Sequence, residues 1–172
     1  MENNTSLQDL FLAALISGTV VSSVIGLMLK RWVTKTELET KSHRLWKEQS
    51  VAELLGPMNI QFDRTKRAFD RWGGKNLYLE AMVVQVGNKA IRDLLLERPH
   101  LIPPHLLEDA GKLIQHYDVW LEKFEEQRNS EHPGLDSTFV FAGPAGFPFP
   151  SSSEKEFQST YRQYWNELYR DV

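Results

Sequence analysis

The densest cluster of groups able to do chemistry lies between residues 64 and 75. Arg64, Arg67 and Arg71 follow one another at spacings of three and four residues, so on a helix they share one face. Lys75 extends that face past Gly73-Gly74, and Lys66 lies at its edge. A guanidinium group is planar and donates two parallel hydrogen bonds, which suits phosphate. Three surroundings fit such a face. One is solvent, with Asp63 pairing to Arg67 at i, i+4. The second is an anionic ligand such as an oligonucleotide, and the third is lipid headgroups. Solvent is the bland expectation. The functional one is an anion held by Arg64, Arg67, Arg71 and Lys75.

Other chemistry is thinly represented. There is no cysteine, which removes disulfides, thiolate zinc sites and thiol nucleophiles and fits a reducing compartment. Of the five histidines, His105 and His116 fall along one side of a helix with Asp109 and Lys112. No HExxH pair occurs, and a lysine in the row repels a cation. The expectation for that row is a solvated face and no metal. No Gly-rich phosphate loop, nucleophile elbow or convincing carboxylate dyad is present, so neither an enzyme nor a bound cofactor is expected.

The arginines need a helix, and periodicity supplies one from about Pro57 to Trp72, with Met58, Phe62, Phe69 and Trp72 opposite them. Before it, Thr34-Lys35-Thr36-Glu37 has capping-box spacing. There either a helix starts or a preceding one continues, running to Gly56-Pro57. After it, Asn76 is placed to cap a third helix reaching Glu97, with Leu79, Met82, Val83, Val86, Ala90, Ile91, Leu94 and Leu95 as its apolar set. Pro99, Pro103 and Pro104 interrupt the chain. A fourth helix then shows Leu106, Ala110, Leu113, Tyr117, Trp120 and Phe124 alternating by three and four, a stripe for the core. The third and fourth helices are expected to form an antiparallel pair.

Residues 129–151 break the pattern. Thr138 to Phe141 reads as a short strand, and Pro and Gly interrupt Ala142–Pro150 throughout, which bars a regular helix or a central strand. That segment is expected to lie extended on the bundle, or to contact a neighbour through Phe147 and Phe149. Ser153 and Glu156 have capping-box spacing for a last helix that packs Phe157, Tyr161, Tyr164, Trp165 and Leu168. The fold expected is all-α, a helical bundle with one Pro/Gly/Phe-rich irregular loop.

The N-terminus adds a membrane. Leu10 to Leu29 is twenty residues without charge, Gln, Asn or Pro. As a helix it is about 30 Å long, the thickness of a bilayer's hydrocarbon core. A signal peptide fits poorly, because the chain begins with acids and Lys30-Arg31-Trp32 closes the run. A buried core helix fits less well, because every face is apolar. Lys30, Arg31, Lys35 and Lys41 place the following part in the cytoplasm, with the N-terminus outside. The expected divisions are an external 1–9, a transmembrane helix 10–29, a juxtamembrane helix 30–56 and a cytosolic helical domain 57–172. Ala14, Gly18, Ser22 and Gly26 recur every four residues, the spacing that lets membrane helices approach. Self-association through this stripe is expected, the alternative being a monomeric anchor. Thr19 and Ser23 flank the stripe and are the candidates to line a pore.

Charge is segregated behind a net −3. Residues 30–92 carry thirteen Lys/Arg against seven Asp/Glu, and residues 93–172 carry seven against fourteen. The basic part adjoins the membrane, which suits anionic lipid or another anion.

The runs IRDLLLERPHLIPPHLLEDAGKLIQHYDVWLEKF (Ile91 to Phe124) and FVFAGPAGFPFP (Phe139 to Pro150), behind one N-terminal span, carry a resemblance. The chain resembles the small single-span membrane effectors of bacterial anti-phage defence operons, the membrane effectors of Hailong systems among them. The resemblance implies a homo-oligomeric, channel-forming protein of the bacterial inner membrane. It further implies restraint by a nucleotide or single-stranded DNA oligomer made by a partner nucleotidyltransferase, and depolarisation on opening. It assigns no binding residue in this sequence. Read without it, the same chain is also a membrane-anchored adaptor whose bundle binds a protein partner.

Overall fold

A computed structural model describes residues 30–72, 76–130, 133–136 and 148–170. The expected span 10–29, its stripe Ala14, Gly18, Ser22 and Gly26, the candidates Thr19 and Ser23, Lys75, the strand Thr138–Phe141 and Phe147 lie outside the described residues. Among the described residues the regular structure is helical throughout, and no helix there is long and apolar enough to cross a membrane.

The chain divides into two compact units, Met1–Arg44 and Leu45–Val172. In the first, residues 30–44 are helical and exposed (α1). Thr34 to Glu37 fall inside this helix, so the capping-box spacing marks no helix start. The Thr36 hydroxyl instead donates back to the Trp32 carbonyl at 2.9 Å, and Thr40 to Thr36 at 2.8 Å, a bond that satisfies a hydroxyl in mid-helix.

The second unit is a four-helix bundle. Residues 45–50 are helical and pass through a wide π-turn, Val51–Leu55, into α2, Gly56–Trp72. Helical backbone therefore continues through Gly56-Pro57, where the sequence suggested a stop. In a regular α-helix the Pro57 ring would press on the carbonyl four residues back. The turn before it is wider, with the Gly56 N–H donating to Val51, five residues back. A Cβ on residue 56 would sit 2.7 Å from the Val51 oxygen, so this approach requires glycine.

Asn76 caps the third helix as expected, its side chain accepting from the Leu79 N–H at 3.0 Å. A second π-turn, Glu80–Val84, interrupts the helix before α3, Gln85–Glu97. The extra residue rotates the faces. Glu80 and Val84 are buried, whereas Met82 and Val86, expected in the core, are 55% and 46% exposed.

Two 3₁₀ turns, Pro99–Leu101 and Pro104–Leu106, connect α3 to α4, Leu107–Arg128. This proline-rich connection is clasped by the helical residues before α2. Trp46 donates to the His100 carbonyl at 2.9 Å and Ser50 to that of Leu101 at 2.8 Å. The stripe Leu106, Ala110, Leu113, Tyr117, Trp120 and Phe124 is buried along its whole length. Each large apolar side chain so covered contributes about 1.5–3 kcal/mol. Glu80 bonds Arg128 and Arg92 bonds Asp118, so α3 and α4 run antiparallel.

The last helix, α5, is Ser151–Tyr169. It begins two residues before Ser153, so Ser153 is no cap. It is buried, and its hydroxyl donates to Asp109 at 2.7 Å. Around the bundle α2 packs on α3, α3 on α4, α4 on α5 and α5 on α2. Met58, Phe62, Ile91, Leu95, Leu113 and Phe157 meet at its centre. A second apolar cluster, with Trp120 stacked on Phe124 at 5.3 Å, fills the end where Ala68 and Leu79 meet.

Candidate anion-binding face

The arginine stripe is positioned by the burial of the opposite side of α2. Met58, Phe62, Thr65 and Ala68 face inward, which turns residues 60, 64, 67 and 71 outward at helical spacing. Phe69 and Ile60 are both exposed. For Phe69 this departs from the expected apolar face.

The three arginines do different things. Arg64 is half-buried and turns toward the neighbouring helix, its Nη2 donating to the Met82 carbonyl at 3.0 Å and its Nη1 to Gln61 at 3.5 Å. Arg67 is exposed and pairs with Asp63 at 2.8 Å, the i, i+4 contact that the sequence allowed. That hydrogen bond, together with the charge of Asp63, raises the Arg67 pKa. Arg71 is exposed. The structure thus keeps Arg67 and Arg71 on an open surface and gives Arg64 a bridging role between α2 and the π-turn. Lys66 is exposed on the side of α2 near α5, where its charge partly offsets the rise that burial causes in the Glu154 pKa.

The histidine row is solvated only in part: His105 and Lys112 are exposed, and Asp109 is half-buried. His116 is buried, its ring 5.2 Å from that of Phe149. The His105 ring nitrogen lies 3.1 Å from the Thr160 hydroxyl, and Asp109 accepts from Ser153. Lys112 pairs with Glu108 at 2.7 Å. The row is the seam that receives α5 and the segment before it. Among the described residues no group of three or more His, Asp or Glu is placed to hold a metal ion. Phe149 also lies 6.4 Å from the Tyr117 ring, so this end of the Pro/Gly/Phe-rich segment packs on the bundle.

Two features leave no clear mark in the sequence. Glu80 and Arg128 form a buried ion pair, and nothing in the periodicity around Leu79 marks the next residue as interior. On α5, Trp165 was expected to pack but is 48% exposed. It forms an aromatic ladder with Tyr161 at 5.9 Å and Tyr169 at 4.7 Å. Its i, i+4 spacing was visible, but its side of the helix was not.

The fold and site together define a helical bundle with an open basic face on one helix. Compared with family models, with curated proteins and with solved structures, the chain matches none.

Proposed function

We propose that this chain is a homo-oligomeric membrane effector whose helical unit receives an anionic signal. In this reading residues 10–29 cross the bacterial inner membrane and the helical unit lies in the cytoplasm. Ala14, Gly18, Ser22 and Gly26 pack copies together, and Thr19 and Ser23 line an ion pathway. The signal is a nucleotide or oligonucleotide received on the α2 face. The resemblance of Ile91–Phe124 and Phe139–Pro150 supplies the setting, anti-phage defence with a partner nucleotidyltransferase as the source of the ligand.

The observation that carries the reading is the exposed pair Arg67 and Arg71, with Lys75 next in sequence, behind an uncharged run of twenty residues. Arg71 is open to solvent and Arg67 can exchange its exposed pairing with Asp63 for a phosphate, which a guanidinium grips bidentately. The test is the mass of the full chain in detergent, followed by conductance in lipid bilayers and oligonucleotide binding. An oligomer that conducts, and binding that weakens steeply with salt, are expected. A monomer in detergent defeats the channel reading, and salt-independent binding defeats the phosphate face.

The exposed Trp165 and Tyr169, which continue the ladder from the half-buried Tyr161, favour a second reading, a membrane-anchored adaptor that binds a protein partner. Exchanging residues 10–29 for an unrelated span separates the two, since only the adaptor keeps its function.

A further inference from the structure

We infer that the outer face of α2 in one copy packs in parallel on the outer face of α4 in the next, so that copies close head to tail in a ring. The inference rests on the oligomeric reading above and names the contact made by the helical unit.

Three observations lead to it. First, α2 and α4 each pack on both α3 and α5, so they are diagonal in the bundle and their outer faces look to opposite flanks. One flank meeting the other is a heterologous contact, the kind that closes rings. Secondly, the two faces match in charge and in length. The α2 face reads Ile60, Arg64, Arg67, Arg71, with Arg64 half-buried and Asp63 and Asp70 exposed along its edge, and the α4 face reads Gly111, Gln115, Asp118, Glu122 at the same spacing. Each spans twelve residues, about 16 Å from first to last, with its uncharged end first and its charged end last. Arg71 then meets Glu122, and Arg67 comes beside Asp118, each of these two already holding a partner in its own copy, Asp63 and Arg92. Thirdly, the direction is right. Thr65 of α2 touches Gly87, and Ala68 clusters with Leu79 and Val84, so α2 is antiparallel to α3, as α4 is. Within one copy α2 and α4 are therefore parallel, and rotation about an axis along the bundle keeps them parallel between copies.

Gly111 adds an independent sign. It lies inside α4 on this face, where glycine weakens a helix, and among the described residues nothing beyond its own stretch of helix lies within 4 Å of the Cβ it lacks. Leu107, one turn earlier, is exposed beside it. In the ring this spot receives Ile60 of the neighbour. Arg67 and Arg71 are also the proposed grip on the anionic signal, so ligand and neighbour compete for them.

The experiment measures the mass of the full chain in detergent by native mass spectrometry across a dilution series. Arg71→Glu and Glu122→Arg are each expected to raise the dissociation midpoint roughly tenfold or more, because each sets like charges together. The two reversals in one chain are expected to restore it, and Gly111→Leu to raise it again without loss of helical circular dichroism. A wild-type oligomer indifferent to all three changes overturns this contact and leaves association through the span standing. Single reversals that weaken the oligomer without recovery in the double variant also overturn it. A monomeric wild type removes the oligomeric reading itself.

Discussion

The Glu80 carboxylate accepts a 2.7 Å hydrogen bond from Arg128 Nε, with both side chains only 4% exposed. The pair joins the start of the third helix to the end of α4, and Arg128 also donates to the Gly134 carbonyl, tying down the chain beyond α4. Ions removed from water this far are held by their mutual bond and not by solvent.

Glu80→Gln or Arg128→Met, made singly, should therefore destabilise the bundle by about 3–5 kcal/mol, because each leaves a buried charge without its counter-ion. Glu80→Leu with Arg128→Met should recover most of that loss. Urea unfolding of the three variants checks this, and a double variant no better than either single one refutes it.

Gly87 sets the distance between α2 and α3. A Cβ there would come within 2.4 Å of the Thr65 methyl carbon. Thr65 is buried, its hydroxyl bonded to the Gln61 carbonyl at 2.9 Å, so it cannot easily swing away. Gly87→Ala should cost about 1–3 kcal/mol through overpacking. Adding Thr65→Ser, which deletes the methyl and keeps the hydroxyl, should return much of it in the same unfolding measurement.

Glu154 lies half-buried on α5, and burial pushes its pKa above the ordinary 4.5, with Lys66 and Lys155 opposing the rise. The folded state therefore favours the protonated carboxyl. Its contribution to stability is full below the unfolded pKa and is lost as pH rises through the folded one. Glu154→Gln keeps an oxygen for the bond from Gln158 and removes the charge. The variant should melt above wild type at pH 7, with the gap closing as pH falls below the ordinary glutamate range. A gap independent of pH would contradict this origin.

What the sequence made legible follows the strength of its periodicity. Leu106 to Phe124 keeps one unbroken helical phase, and every residue of that stripe is buried. Asn76 was readable because an extended residue before an apolar run has one local job. Met82 and Val86 misled because their phase is α-helical while the backbone at Glu80–Val84 is not. A single inserted residue leaves no mark in composition. Ser153 and His116 misled in another way. Serine and histidine read as surface or cap residues until another helix covers them, and α5 lies more than thirty residues beyond His116. At the candidate site the shared face of Arg64, Arg67 and Arg71 was visible from spacing alone. The division of labour was not, because it depends on a carbonyl exposed by the π-turn.

Those two wide turns also determine how the chain tolerates a change in length. Each holds one residue more than an α-helical turn requires, so each can lose a residue and remain helical. Excision at Val51–Leu55 would rotate residues 45–50 by about 100° against α2 and carry Trp46 and Ser50 away from the carbonyls of His100 and Leu101. Excision at Glu80–Val84 would turn Glu80 away from Arg128 and Met82 away from Arg64. A substitution at either place alters one contact, whereas a one-codon deletion re-aims a whole helix.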